Sequence, residues 1–251
     1  MIRVYWLETR NEFLKFARMK SYAMSTILFP LMFYCFFGLA MKSNGPRELS
    51  IARYLLATYG AFAVMGATLY AFGAGVAVER GLGWMQVKRA SPMPAPAWFF
   101  AKTVVSVAFG AAVILLLFAL GVIFGGVRMP AAQWVLMFVS LVAGAVPFCA
   151  LGLTIGNLAG PNSAPGTVNM IYLPMAFCGG LWIPYQFLPE AIQRIAQVLP
   201  SFHLAQIALA MQKSPSHGSI SGHVEALAAF SLLFLGTAWL AHTRSREQMY
   251  G

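Results

Sequence analysis

Long stretches without a charged side chain constrain this sequence more than any other feature. Residues 129–189 contain no Asp, Glu, Lys or Arg, and uncharged runs also cover 21–41, 54–78 and 103–127. The chain is 59% hydrophobic and only 10% charged, whereas soluble globular chains carry about 25% charged residues. Because so few charges cannot cover a water-exposed surface, lipid must cover much of it. The sequence therefore predicts an all-α polytopic membrane protein.

Six membrane-spanning helices are predicted in one membrane domain that covers 1–251. A helix needs about 20 apolar residues to cross a bilayer, and the run 129–189 is long enough for two crossings, divided by the breaker cluster GPNSAPG at 160–166. The predicted spans are about 21–41, 54–78, 103–124, 134–158, 167–183 and 224–241. The fourth carries small residues at four-residue spacing, which favour close helix packing inside the chain over a dimer seam: Gly152, Gly156 and Gly160.

The positions of the basic residues indicate the orientation. Eleven of the 17 Lys and Arg lie in the amino-terminal segment, the loop after the second span and the carboxyl-terminal tail. Because basic loops stay in the cytoplasm, we expect both termini to be cytoplasmic. The net charge of +10 therefore reflects membrane topology, and no nucleic-acid partner is expected, since the basic residues flank apolar segments instead of forming one stripe.

Two amphipathic segments lie beside the spans. Residues 4–20 predict an interfacial helix in the headgroup layer. Residues 184–203 are too short and too polar to cross, so we predict a re-entrant or interfacial helix at 190–199 on the outer side, between spans five and six. In the amino-terminal helix, the apolar face consists of Trp6, Phe13, Phe16 and Ala17, and the opposite polar face of Glu8, Asn11, Glu12 and Lys15.

The sequence offers little for catalysis. No carboxylate lies deep in a predicted span, the four histidines fall in loops or at span ends, and no two of them have metal-ligand spacing on one helix. The three cysteines lie inside apolar runs, which favours buried side chains over a redox pair. No lysine follows a glycine, which excludes the GxxxxGK[ST] phosphate loop. We therefore expect no catalytic residue, metal or cofactor in this chain, and a protein that is passive or driven by a partner.

A compact charged segment, VERGLGWMQVKRASPMPAP at 78–96, separates spans two and three. Its centre can form two helical turns that the following prolines end. A solvated loop that only sets topology is one interpretation, and anchoring of Trp84 at the membrane surface is another. An aromatic side chain beside basic residues also suits the centre of a protein interface.

The whole chain resembles the membrane subunits of type 2 ATP-binding-cassette (ABC) exporters. In that family the loop between spans two and three reads E-R-x-x-G and then S/T-P. After span five the family has a small-residue turn, an aromatic–Pro pair and two L-P pairs before a histidine, and GGLWIPYQFLPEAIQRIAQVLPSFH at 179–203 is similar. The GW form of the loop, with basic residues after it, looks more like the drug and antibiotic branch. The matching loop residues have the family's spacing: Glu79, Arg80, Gly83 and the pair Ser91-Pro92.

The resemblance implies a permease half-transporter in a bacterial plasma (inner) membrane. Two permease subunits, identical or paralogous, would pair above two ATP-binding-cassette subunits, which bind ATP and Mg²⁺. The substrate, a drug, lipid or lipid-linked glycan, would leave the cytoplasm or inner leaflet. Coupling to the ATPase is expected from loop 79–96 through Glu79, Arg80, Gly83, Trp84, Met85, Lys88, Arg89, Ser91 and Pro92.

By analogy with the family, spans two and five line the substrate pathway, and their apolar lining suits hydrophobic or amphipathic cargo. The competing hypothesis is a passive channel or a structural membrane-anchor subunit of another complex, although no charged pore residue supports a channel. The expected pathway residues are Tyr59, Phe62, Met65, Asn169, Tyr172, Met175 and Phe177. The expected outer gate consists of Pro184, Pro189, Ile192, Ile195, Leu199, Pro200 and His203.

Overall fold

A computed structural model describes residues 2–18, 24–39, 51–91 and 93–247, and every regular element in these ranges is helical. A short 3₁₀ turn, Tyr185–Phe187, lies between the seventh and eighth helices. In chain order the helices are α1 (Ile2–Arg18), α2 (24–39), α3 (Ile51–Gly81), α4 (Trp84–Ala90), α5 (Ala95–Ile123), α6 (Ala131–Leu158), α7 (Ala164–Cys178), α8 (Glu190–Ala196), α9 (Pro200–Met211) and α10 (Ile220–Glu247).

Prolines mark where several helices begin. Pro94, Pro130 and Pro189 immediately precede α5, α6 and α8, and Pro200 opens α9. A proline is tolerated at these positions because the first-turn N–H groups have no helical acceptor. Inside α6 the helix is interrupted at 144–145 and resumes at Val146. Pro147 explains this interruption, since it cannot donate to the carbonyl four residues earlier.

Within the described residues, four helices are long and apolar enough to cross a membrane: α3, 96–123 of α5, α6, and Ile220–Ala241 of α10. They contain the predicted spans two, three, four and six, whereas six spans are not confirmed. The predicted span 21–41 is described only in part and gives the short apolar helix Thr26–Leu39. The predicted span 167–183 falls on α7, whose 15 residues extend about 22 Å, less than the roughly 30 Å of a hydrocarbon core.

α3 is the central helix of the bundle. In its most apolar stretch 83% of the residues are buried within the chain, compared with 17% for α10. α3 packs against α2, α5, α6, α7 and α9, while α10 packs against the second half of α6 and against α9. The outward face of α10 exposes large apolar side chains such as Leu232 and Trp239. α10 therefore supplies surface for lipid or a second subunit, and α3 supplies the core.

Two glycines of the predicted stripe bring α6 against α3. A Cβ on Gly156 would lie 2.5 Å from the carbonyl oxygen of Phe72, and a Cβ on Gly152 would lie 2.9 Å from the Cβ of Phe72. Phe72 belongs to a π-helical turn within α3, Tyr70–Ala74. The prediction of packing inside the chain is confirmed for these two glycines. Gly160 does not take part, since a Cβ there would meet only the Ser163 hydroxyl, at 3.5 Å.

The predicted amino-terminal helix is present as α1, but a different face contacts the protein. Glu12 and Phe16 are buried, whereas Trp6 and Phe13 are exposed. The prediction that Phe16 and Trp6 share one apolar face, with Glu12 on the opposite face, is therefore wrong, since Phe16 and Glu12 are buried together while Trp6 is exposed. The physical reason lies on α5, against which α1 packs, because a buried lysine there requires a carboxylate partner.

The segment 184–203, predicted to lie on the outer side, is also divided differently from the prediction. Instead of one helix at 190–199, α8 ends at Ala196 and α9 begins at Pro200. Leu199 between them is extended, with φ −113° and ψ 132°, because a residue before proline avoids the helical region. The re-entrant helix is not confirmed.

Candidate functional site

The segment 79–91 connects α3 to α4 through a turn that requires glycine. α3 ends at Gly81, and the N–H of Leu82 donates to the carbonyl of Val78 at 3.0 Å. Gly83 has φ 73°, in the left-handed region, where a residue with a Cβ is strained. This glycine lets the chain leave α3 and start α4 at Trp84 within two residues.

One side of this segment is an exposed apolar surface. Leu82, Trp84 and Val87 are exposed at 68%, 53% and 71%. Met85 on the other side of α4 is half-buried and packs against a cluster that includes Phe16 of α1. α4 is therefore held by the protein on one side and presents large apolar side chains on the other.

Four charged side chains, Glu12, Lys15, Glu79 and Lys102, meet next to this segment, and we call them the four-charge cluster. Lys102 Nζ lies 2.5 Å from Glu12 Oε1 and 2.8 Å from Glu79 Oε1. Lys15 Nζ lies 3.1 Å from Glu12 Oε1 and also pairs with Glu79. Burial and the nearby Lys102 charge lower the pKa of Lys15, while Glu79 and Glu12 act in the opposite direction. The formal charges of the cluster sum to zero.

Three members of the cluster are removed from solvent, and the Lys15 side chain keeps 26% exposure. Lys102 is 0% exposed and both glutamates are 4% exposed. Trp98 Nε1 donates to Glu79 Oε2 at 3.0 Å, and the rings of Phe16 and Trp98 lie 5.2 and 5.5 Å from Lys102 Nζ. Because a buried ion loses its hydration, each of these charges depends on its partners. The cluster therefore fixes α1 to the end of α3 and the start of α5.

Arg80 fixes the same end of α3 to α6. Its guanidinium donates to the carbonyl oxygens of Asn157 and, at 2.7 Å, of Ala159. These carbonyls belong to the carboxyl-terminal end of α6, where the last turn has unpaired acceptors and a partial negative charge. A Cβ on Gly81 would lie 2.6 Å from Pro161 Cγ, so the loop after α6 lies directly against α3.

α4 has its own ion pair to α1. Lys88 Nζ lies 2.6 Å from Glu8 Oε1, and both side chains are less than one-fifth exposed. The Ser91 hydroxyl donates to the carbonyl of Lys88 at 2.7 Å and ends the helix. Pro92 and the side chain of Arg89, both predicted coupling residues, lie outside the described residues.

The predicted coupling residues thus divide into two groups. The first group contacts other helices of this chain and consists of Glu79, Arg80, Met85 and Lys88, whereas Trp84 is 53% exposed. Sequence reasoning missed the residues that bind the first group: Glu8, Glu12, Lys15, Trp98 and Lys102. One signal was available, since Lys102 is the only charged residue in 90–127.

The predicted pathway residues lie mainly in the core between α3 and α7. The rings of Phe62 and Tyr172 stack at 4.7 Å, and the Tyr172 hydroxyl donates to the Phe62 carbonyl at 3.2 Å. Asn169 accepts from the Tyr70 hydroxyl, and Phe177 is partly exposed. Their role in transport stays a prediction. Five of the seven are buried: Tyr59, Phe62, Met65, Tyr172 and Met175.

The predicted gate residues are spread over several elements. Pro184 and Pro189 precede the turn Tyr185–Phe187 and helix α8. Their function as a gate stays a prediction. The others range from buried Pro200 through half-buried Ile192, Leu199 and His203 to exposed Ile195.

Comparison with known proteins identifies the family. The sequence pattern of the ABC-2 type transporter family matches residues 3–212, so the chain belongs to this family. A protein of Bacillus subtilis (strain 168) named as a transport permease, YvfS, is 29% identical over 192 residues, which are 76% of this chain and 78% of that protein. The predicted ABC type 2 permease is confirmed.

Family membership indicates the membrane subunit of an ABC transporter, a multi-pass protein that pairs with an ATP-binding-cassette subunit. It also indicates a transport subunit without catalysis of its own. In the described part of the chain, no group of three or more His, Cys, Asp and Glu residues is placed to hold a metal ion.

Proposed function

We propose that this chain is the permease of an ABC exporter, and that the exposed apolar surface of segment 79–91 binds the ATPase subunit. The observation that carries this proposal is the exposure of Leu82, Trp84 and Val87 directly after the buried four-charge cluster. In this arrangement segment 79–91 and both termini face the cytoplasm, where the ATPase binds nucleotide.

The contacts of the segment also supply a route for force. A push on α4 reaches α1 through Lys88 and Glu8, and it reaches α3 through the short glycine turn. From α3 it passes to α5 through Lys102 and to α6 through Arg80. A solvated loop that only sets topology needs none of these contacts. The segment is therefore suited to move four helices together.

The cargo we propose is hydrophobic or amphipathic, and it leaves the cytoplasm or inner leaflet. The candidate lining between α3 and α7 is aromatic, aliphatic and methionine-rich, which suits such cargo. Because five lining residues are buried against one another, transport along this route requires α3 and α7 to separate. Closure of two ATPase subunits beneath a pair of permeases supplies the energy for that separation.

The test is purification of the tagged chain in mild detergent, with the stoichiometry of bound subunits measured by mass spectrometry. We expect an equimolar ATP-binding-cassette subunit with the wild type. Val87→Glu places a charge in the proposed interface and should abolish co-purification. Val198→Glu is the matched control, because Val198 is 66% exposed in the turn between α8 and α9, and it should leave the complex intact.

Retention of the ATPase by Val87→Glu at the wild-type ratio would remove this surface from the interface. Reproducible absence of any ATP-binding-cassette subunit from the folded wild type would instead favour the anchor or channel hypothesis. ATP-dependent accumulation of a fluorescent amphipathic probe inside inverted vesicles, whose cytoplasmic face is outward, then tests the direction of transport.

A further inference from the structure

Two histidines face each other at the end of the bundle where α3 begins. His203 lies in the first turn of α9 and His223 in the first turn of α10. Their Nδ1 atoms are 2.8 Å apart, a hydrogen-bond distance. Both side chains lie on helices that pack together, so this contact joins α9 to α10 near their amino-terminal ends.

The other ring nitrogens determine what can lie between these two atoms. His203 Nε2 lies 3.1 Å from the carbonyl oxygen of Gln197, and His223 Nε2 lies 2.5 Å from that of His217. A carbonyl oxygen only accepts, so each Nε2 carries a hydrogen. A neutral imidazole has a single N–H, and therefore two neutral rings would direct two lone pairs at each other across 2.8 Å.

We propose that His203 and His223 form a proton-binding site that holds one proton between their Nδ1 atoms. One ring is then an imidazolium that donates Nδ1–H to the lone pair of the other ring, and the pair carries a single positive charge. A tetrahedral metal ion fits the contact less well, because Zn–N bonds of about 2.0–2.1 Å would hold the two nitrogens about 3.3 Å apart.

The surroundings isolate this site from other charges. The pair lines a pocket of about 450 Å³ that contains no acidic side chain. Gly218 has φ 80°, and a Cβ there would lie 3.1 Å from His223 Nε2, so this glycine lets the loop carbonyl approach the ring. The charged residues on the surrounding elements have no ion pair to either ring among the described contacts: Glu190, Arg194, Lys213 and Glu225.

A second proton is disfavoured at this site. Burial, followed by the nearby His223 ring, lowers the pKa of His203, and the hydrogen bond to the Gln197 carbonyl opposes this only in part. Among the other titratable groups near the pair, Tyr185 contacts the ring of His217, with ring centroids 4.6 Å apart. Two imidazoliums would repel each other across the 2.8 Å contact, just as two lone pairs would. The contact between α9 and α10 is therefore strongest when one proton is bound, and it weakens at lower and at higher pH.

The pair can be tested directly, since the chain has only four histidines. Protein labelled with ¹⁵N-histidine in lipid nanodiscs is titrated between pH 5 and 9, with and without a chelator, and the ring nitrogens are observed by NMR. We expect the Nδ1 signals of His203 and His223 to change together, through a state with one shared proton. In His203→Phe, which keeps a ring in place, the coupled change should be absent.

Hydrogen exchange of α9 and of the start of α10 gives an independent measure. After correction for intrinsic rates, opening in His203→Phe should be about tenfold more frequent than in the wild type at neutral pH, the size expected for a charged hydrogen bond. His217→Phe keeps the backbone carbonyl and should match the wild type. Independent titration of the two rings, or loss of the coupled titration on chelation, would overturn the proposal. Neither result bears on ATPase binding.

Discussion

The two ends of the bundle hold their buried polar groups in different ways. The four-charge cluster contains two lysines and two glutamates, so its charges cancel without any additional proton. The histidine pair at the other end has only lone pairs and N–H groups, and as we propose it requires one proton from solvent. We therefore expect packing that is independent of pH over the ordinary range at the end with the four-charge cluster, and packing that follows proton concentration at the end with the histidine pair.

The largest expected effect comes from removing the buried cation. Lys102→Met leaves Glu12 and Glu79 buried with Lys15 as their only cation, so we expect a loss of about 3–5 kcal/mol of stability. Thermal unfolding in detergent should show a large decrease in midpoint, together with proteolysis of α1. If the variant had the same unfolding midpoint as the wild type, the four-charge cluster would not stabilise this end of the bundle.

A smaller loss is expected when α3 is released from α6. Arg80→Gln removes the charged donor of two hydrogen bonds to the carbonyls of Asn157 and Ala159, which should cost about 1.5–3 kcal/mol. Hydrogen exchange at 157–161 should increase, while exchange in α1 should not. Equal increases in both regions would mean that Arg80 acts through the cluster and not through α6.

The end of the bundle that carries the histidine pair should respond to acid. Since the pKa of His203 is lowered in the folded protein, chiefly by burial, the unfolded state binds the proton first as pH decreases. The stability that comes from resisting a second proton is therefore complete above the ordinary histidine pKa of about 6.5 and lost as pH falls through the lowered value, whereas loss of the shared proton weakens the contact at higher pH. Unfolding midpoints at pH 5 and 7.5 should differ more in the wild type than in His203→Phe. Identical differences would contradict this assignment.

The smallest effect is expected at Lys88, and it shows how much burial adds to the energy of an ion pair. Lys88→Met removes a lysine that also pairs with a glutamate, but this pair is partly exposed. Exposed pairs contribute about 0–1 kcal/mol, and since this pair keeps some exposure we expect a loss near the upper end of that range, well below the loss in Lys102→Met. The same substitution at Lys102 and Lys88 thus compares one change in two environments, and similar losses would show that burial does not determine the energy of these pairs.

Much of the fold could be predicted because local rules dominate it. Apolar runs, prolines at helix starts and the glycine turn at 83 act within a few residues. The predicted spans two, three, four and six lie in long helices for this reason. α7 is shorter than predicted because helix length depends on where the loop to Tyr185–Phe187 begins, and that loop is set by contacts with the start of α3 such as Tyr185 to Tyr54.

The site was only half predictable. The motif of segment 79–91 identified Trp84 and its neighbours. The predicted orientation of α1 was wrong, because an amphipathic pattern shows that one face is apolar and the other polar but does not show which of them contacts the protein. The polar face of α1 lies against the protein because Lys102 is there, about 90 residues later in the chain. No local pattern connects those positions.

By itself, the sequence determined that this is a multi-pass helical membrane protein with a charged, aromatic segment at 79–91, because composition and short motifs are properties of neighbouring residues. The tertiary structure alone decided which charges are buried together, which face of α1 is covered and that His203 meets His223. Those outcomes depend on packing between distant helices, where the cost of burying an unpaired charge or lone pair selects one arrangement.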